Sequence, residues 1–263
     1  MQYRRLGRSE FMTAEVGIGT RGLAAVDPAE ATATLEAALG LGVTLVEVDI
    51  EDTAALDLVA PVIASVRVQL LLVAAGDGDE DAARAALERL GVERFDAYLV
   101  RGPHPDLGAG QALGLAGLTR TVGLTTDSPE QALAAVLDGG IDLVQVPFDP
   151  LDRTRLQGVD AVLNAAQAAD IAVVTCSPLA GGRLAAGASA EERAALAFLE
   201  DGPPRSMEQG LIAWALSEPR VAAVVCGPRT PAEATDCAGA SSVAPLDFDT
   251  IEAVMRALQT QPD

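Results

Sequence analysis

Asp142-Leu143-Val144-Gln145-Val146-Pro147 and Ile171-Ala172-Val173-Val174-Thr175-Cys176 are two short, valine-rich apolar runs. Neither alternates polar with apolar residues, as a strand with one wet face would. Near-continuous apolar runs are what parallel strands buried on both faces require. Between them, Val159–Ala169 repeats its apolar residues at helical spacing. Strand, helix, strand in this order is the unit from which parallel sheets are built.

Working outward, the same alternation fills the chain. Further runs with strand character are Ala14–Ile18, Val43–Val48, Val68–Ala74, Phe95–Arg101, Thr119–Leu124 and Val221–Cys226. Helical patterns occupy Ala29–Leu39, Asp79–Leu90, a stretch opened by Ser128-Pro129-Glu130, Glu191–Leu199, Met207–Leu216, Pro231–Cys237 and Phe248–Leu258. Ser128 before Pro129 reads as an N-cap followed by proline at the first helical position. Eight strand-then-helix units predict an α/β fold, a (β/α)8 TIM barrel, rather than an open doubly wound sheet. Gly102–Leu118 holds five glycines and two prolines. It predicts a short, irregular or mobile segment and, with Ser189–Arg205, a loop over the barrel mouth. No linker-like composition divides residues 1–263, so one domain is expected.

Composition narrows the function classes. The chain has 263 residues and a net charge of −20. Such a surface repels phosphate backbones and anionic lipid, which argues against nucleic acid and membrane partners. No apolar run is long enough to span a bilayer, and the N-terminus lacks a signal-peptide core. The three cysteines, Cys176, Cys226 and Cys237, form no CxxC pattern. Reduced thiols and a cytoplasmic location are the expectation. His104 is the only histidine, so no multi-histidine metal site is expected. All 18 basic residues are arginine; the chain contains no lysine.

Several segments carry a resemblance. They are Met1-Gln2-Tyr3-Arg4-Arg5-Leu6-Gly7-Arg8-Ser9, Gly17-Ile18-Gly19-Thr20, Asp96-Ala97-Tyr98-Leu99-Val100 and Gln145-Val146-Pro147-Phe148-Asp149-Pro150-Leu151-Asp152-Arg153. Cys176-Ser177-Pro178-Leu179-Ala180-Gly181-Gly182-Arg183-Leu184, Trp214-Ala215-Leu216-Ser217 and Gly227-Pro228-Arg229-Thr230-Pro231 continue the series. In order and spacing, over most of the chain, these resemble the aldo/keto reductases. The resemblance implies a barrel closed at its base by an N-terminal β-hairpin. It also implies carbonyl reduction by NADPH, with a tyrosine as proton donor tuned by lysine and aspartate, and a histidine orienting the carbonyl.

Carried over by position, the aspartate of that tetrad falls on Glu47, the tyrosine on Asp52, the lysine on Ala75 and the histidine on Arg101. Only the first is a chemically similar replacement. Tyr3 lies in the hairpin and Tyr98 mid-strand, so neither is expected to restore the proton donor. His104, three residues beyond Arg101, is a further candidate whose plain reading is a solvated loop side chain.

The resemblance to the cofactor site is mixed. Gln145 matches the residue that binds the nicotinamide amide, Ser177, Leu179 and Gly182 the pyrophosphate loop, and Arg229 the 2′-phosphate cation. Thr125-Thr126 replaces a Ser-Asn pair, Cys176 the stacking tyrosine, and Glu233 and Cys237 the adenosine-end amides. Glu233, four residues after Arg229, is expected to pair with it. NADP(H) binding therefore stays open against no cofactor at all.

Alternation along Glu47-Val48-Asp49-Ile50-Glu51 puts Glu47, Asp49 and Glu51 on one face at the C-terminal end of a strand, where active sites of this fold lie. Crowded carboxylates raise one another's pKa, so one can stay protonated and act as a general acid. Arg101 would hold an anion, polarise a carbonyl or neutralise Glu47. Glu51 and Asp52 also read as solvated loop charges, and Cys176 as a small buried thiol. Three functions follow. The first is a non-redox acid/base enzyme (a cyclase, dehydratase, isomerase or lyase) acting on a small-molecule metabolite through Glu47, Asp52 and Arg101. The second is a catalytically inactive pseudoenzyme that binds a ligand, a protein partner or further copies of itself. The third is a residual NADPH-dependent oxidoreductase with another proton donor.

Overall fold

The computed structural model describes residues 1–9, 11–201, 206–243 and 245–259. The predicted loop 189–205 therefore lies partly outside the described residues. Two short strands, β1 (Tyr3–Arg5) and β2 (Met12–Ala14), pair antiparallel as a hairpin. Eight strands then close a parallel barrel. They are β3 (Val16–Gly19), β4 (Leu45–Asp49), β5 (Leu71–Gly76), β6 (Phe95–Val100), β7 (Thr119–Thr125), β8 (Leu143–Pro147), β9 (Ala172–Cys176) and β10 (Val221–Cys226), with β10 pairing back onto β3.

Leu6 of the hairpin is fully buried and packs into the interior cluster with Leu45, Leu71, Val73, Ala97, Leu99, Leu143 and Val174. These come from alternate positions of the strands, as a filled barrel requires. The other face of each strand, for example Val46, Val48, Leu72 and Val100, packs against the surrounding helices. Tyr98 belongs to this outer set; it is buried and its hydroxyl accepts the Gly78 N–H at 3.2 Å. It therefore faces away from the barrel interior.

Each predicted strand is present, with shifted ends. The run at Val68–Ala74 slides furthest: Val68 sits in a 310 turn and is 96% exposed, while the strand continues to Gly76. The sequence reading has no helix at 53–66, where the structure has α2 (Thr53–Val66), the helix after α1 (Pro28–Gly40). Ala55, Leu56, Val59, Val62 and Ile63 are buried at helical spacing, and the helix carries Pro61 in its interior. Pro61 is exposed. Interior proline usually breaks a helix, which is why the pattern is hard to see.

The glycine-rich segment is helical rather than irregular. After α3 (Glu80–Leu90), residues Leu107–Leu115 form α4, capped by the Asp106 carboxylate accepting the Gly108 and Ala109 N–H groups. α4 packs against β6 and β7 on the outer wall, so at most the short loop before it borders the mouth. Glycine serves a packing purpose here, since a Cβ at Gly110 would lie 2.5 Å from Val100 Cγ2 and 2.8 Å from Val122 Cγ1. At Gly114 the nearest atom would be 3.8 Å away. Helix propensity favours alanine over glycine by about 1 kcal/mol, whereas overpacking costs about 1–3 kcal/mol. Gly114→Ala is therefore expected to stabilise the fold and Gly110→Ala to destabilise it, as read by urea denaturation. Equal effects of the two substitutions would contradict this packing.

The remaining helices are α5 (Pro129–Asp138), α6 (Arg153–Ala169), α7 (Ala190–Leu196), α8 (Met207–Leu216), α9 (Pro231–Gly239) and α10 (Phe248–Gln259). Among the described residues no helix is long and apolar enough to cross a membrane.

Candidate active site

At the C-terminal ends of the strands, polar side chains replace the apolar interior. Glu47 projects from β4 between Gly19 of β3 and Val73 of β5. Across the barrel, Gln145 Nε2 of β8 donates to Glu47 Oε2, and Gln145 Oε1 accepts from Thr125 Oγ1 of β7 at 2.7 Å. Both ends of the Gln145 amide are thus engaged within the chain. Burial raises the Glu47 pKa; the Gln145 hydrogen bond and the more distant Arg21 and Arg101 charges offset only part of this.

Asp49, two residues on, behaves in the opposite way. Its two oxygens accept from Arg101 at 2.6 and 2.7 Å, a bidentate pair. Arg21 reaches Asp49 at 3.1 Å and Glu51 reaches Arg101 at 2.9 Å. The Glu51 backbone N–H adds a bond at 3.0 Å. Burial pushes the Asp49 pKa up, but the Arg101 bonds, the backbone bond and both arginine charges outweigh it, leaving it below its ordinary value. Two carboxyl groups on one strand face are therefore driven apart in acidity. Arg101 neutralises Asp49 and Glu51, not Glu47.

The other candidates are dispersed. Asp52 caps α2, accepting the Ala55 N–H at 3.0 Å. A helix cap is the use the structure makes of it, and it does not join the Glu47 or Asp49 network. Ala75 lies in the interior cluster beside Asp49. His104 is exposed on the loop before α4. Cys176 ends β9 on the interior side, and burial, reinforced by the charge of Glu47, pushes its thiol up to about 12. A thiol held so firmly protonated is a poor nucleophile.

After β9 the chain turns sharply. Ser177, Ala180, Gly181 and Gly182 all have positive φ, and Gly182 N–H and Leu184 N–H both bond to the Leu179 carbonyl. Arg183 and Glu192 then form a bidentate pair at 2.6 and 2.7 Å that ties this loop to α7. Arg229 is exposed, and its side chain lies over Gly22. Glu233 does not pair with the Arg229 guanidinium as expected; its carboxylate accepts the Arg229 backbone N–H at 2.7 Å. The reason is local geometry: Glu233 sits in the first turn of α9, where backbone donors are unpaired.

The residue that sequence reasoning missed is Arg21. Its only signal was its place just beyond β3, at the mouth end of a barrel strand. With Arg101, Gly102, Pro103, Thr125, Thr126, Asp127, Ser128 and Gln131 it lines a cleft of about 460 Å³. Among the described residues no group of three or more His, Cys, Asp or Glu side chains is arranged to hold a metal ion.

Residues 78–259 match the model described as Aldo/keto reductase family. Glu47, Asp52 and Ala75 lie before that match and Arg101 within it. Among solved structures, the aldo-keto reductase AKR11C1 from Bacillus halodurans, in its holo form, superposes with a TM-score of 0.81 at 20% identity, covering 98% of this chain and 96% of that one. The thermostable aldo-keto reductase Tm1743, solved with the inhibitor epalrestat, gives 0.83 at 21% identity, covering 98% and 100%. At such identities the likeness is one of fold. No curated protein matches the chain in sequence.

Proposed function

The chain belongs to the aldo/keto reductase family, and on that premise we propose that it is a non-redox acid/base enzyme acting on a small organic metabolite at the barrel mouth. The observation that carries this reading is the contrast between two carboxyl groups on one strand face: Glu47 is bonded to the neutral Gln145 amide and Asp49 is clamped by Arg101, which moves their acidities in opposite directions. A carboxyl group held protonated can donate a proton while its ionised neighbour stays charged. Glu47 is the proton carrier: its protonated carboxyl gives a proton to an oxygen of the bound molecule and takes one back later in the cycle. Gln145 fixes the orientation of that carboxyl and Thr125 fixes Gln145. Asp49, clamped by Arg101, stays ionised and shapes the charged wall. One carboxyl group shuttling one proton suits cyclisation, dehydration, isomerisation or ring opening.

The family generally binds NADP(H), and the residues here fit that cofactor unevenly. Arg229 is exposed and suited to a phosphate. The nicotinamide end does not fit: the Gln145 amide is spent on Glu47 and Thr125, and Cys176 offers no ring to stack on. With no lysine in the chain, the family's usual tuning of a tyrosine donor has no counterpart. No step is therefore routed through the cofactor.

A binding protein without turnover is the second reading, favoured by the ion pairs among Arg21, Asp49, Arg101 and Glu51 that occupy part of the mouth. The test is a screen of small metabolites with purified protein and no added nucleotide, followed by proton NMR. The proposal expects a converted compound whose conversion is lost in Glu47→Gln. Binding without conversion by the wild type would favour the second reading, and conversion that survives Glu47→Gln would remove Glu47 from the chemistry.

A further inference from the structure

Most arginines at this mouth are already committed. Arg101 gives both terminal nitrogens to Asp49, and one of them also meets Glu51. Asp49 in return accepts from Arg101 at both oxygens, and its Oδ1 also accepts the Glu51 N–H. Arg21 touches the same carboxylate through one nitrogen at 3.1 Å, and its side chain is 74% exposed. Two guanidinium charges thus share one well-buried carboxylate. Arg21 is the loosely held member of this group, bound through one nitrogen, with N–H groups left to face the cleft that it lines with Thr125 and Gln131.

Glu47 does not line that cleft but is joined to its wall by two hydrogen bonds. Thr125 forms part of that wall and is linked through Gln145 to Glu47. The guanidinium of Arg21 is close enough for its charge to act on Glu47. Within the cleft lining, Asp127 is the one opposing charge, and it is exposed; Glu130, also exposed, is turned onto the Ser128 hydroxyl.

We infer that the molecule acted on carries an oxyanion, a carboxylate or a phosphate, that docks on Arg21 in the cleft between the loops after β6 and β7. Docking there places the rest of a small molecule against Thr125, toward Glu47. The inference rests on the acid/base reading of the mouth for its purpose, although its binding step is independent of it. Arg101, by contrast, is a positioning residue that holds Asp49 and the end of β4.

The test is calorimetric titration of the full chain at low ionic strength with two probes, malonate and inorganic phosphate, to distinguish the two anion classes. Saturable binding of at least one is expected, weakened about tenfold or more by Arg21→Ala, since a hydrogen bond to a charged group contributes that much. Asp127→Asn, which removes the opposing charge, is expected to tighten binding. Arg84→Ala, at an exposed ion pair on α3, is expected to leave it unchanged. Both substituted side chains at the cleft are exposed, so circular dichroism should show an intact fold. Failure of both probes to bind, or binding lost with Arg84→Ala or kept in Arg21→Ala, would overturn the inference. The acid/base reading fails separately: Glu47→Gln would then convert a substrate as fast as the wild type while Arg21-dependent binding persisted.

Discussion

Replacing Glu47 with glutamine is expected to lower turnover about 100- to 10,000-fold, the range a positioned general acid supplies. Binding should change little, because glutamine keeps the size of the side chain and a partner for Gln145. The pH dependence has a fixed direction. A general acid works in its protonated form, so the wild-type rate should fall as pH rises through the elevated Glu47 pKa. Stability follows the same group. The folded chain holds the Glu47 proton at pH values where the unfolded chain, near 4.5, has released it. The contribution is therefore fully present below that value and is lost as pH rises through the folded pKa. In Glu47→Gln this decline is absent, so the variant should gain stability relative to the wild type as pH increases. Denaturation midpoints measured across pH give the comparison. A difference that stays flat with pH would mean that Glu47 ionises normally.

The second large effect concerns Asp49. Asp49→Ala leaves Arg101, whose side chain is only 20% exposed, without its bidentate partner. Removing one member of a buried pair costs about 3–5 kcal/mol. Because Glu51 and water still reach Arg101, about 2–3 kcal/mol is the expected loss, read by urea denaturation. Removing both charges, as in Asp49→Leu with Arg101→Leu, should recover part of it, because the charges left without these partners, Arg21 and Glu51, are exposed to water. Simple additivity of the two single losses would show that the pair is not coupled. The wild-type contribution of Asp49 is present above its ordinary pKa of 3.8 and is lost as pH falls through the lower folded value.

The barrel is legible in the sequence because strands such as Leu143–Pro147 and Ala172–Cys176 are buried on both faces, with one polar residue in each, Gln145 and Thr175. Legibility fails where one residue type serves two purposes. Pro61 on the exposed side of α2 looks like a terminator, and Gly110 in α4 looks like a loop residue although it admits Val100 and Val122. Glu47 is visible from its position at a strand end. The partner of Arg101 is not, because it depends on register across three strands: Asp49 lies beside Ala75, and Ala75 beside Leu99. Asp49 wins over Glu47 since it stands nearer the strand end, in register with Leu99, two residues before Arg101. The same limit hides Arg21, whose role appears only once β3 is seated next to β4. Asp52, read as the counterpart of a catalytic residue, is claimed by local backbone geometry, where a carboxylate ahead of a helix satisfies unpaired N–H groups.

Titration of the purified protein with NADPH, followed by calorimetry and nicotinamide fluorescence, decides whether this barrel works without redox chemistry. With Gln145 engaged by Glu47 and Thr125, the expected result is no saturable change in nicotinamide emission up to about millimolar cofactor. Saturable binding near micromolar, with hydride delivered to a carbonyl compound, would contradict the proposal that this barrel works without redox chemistry.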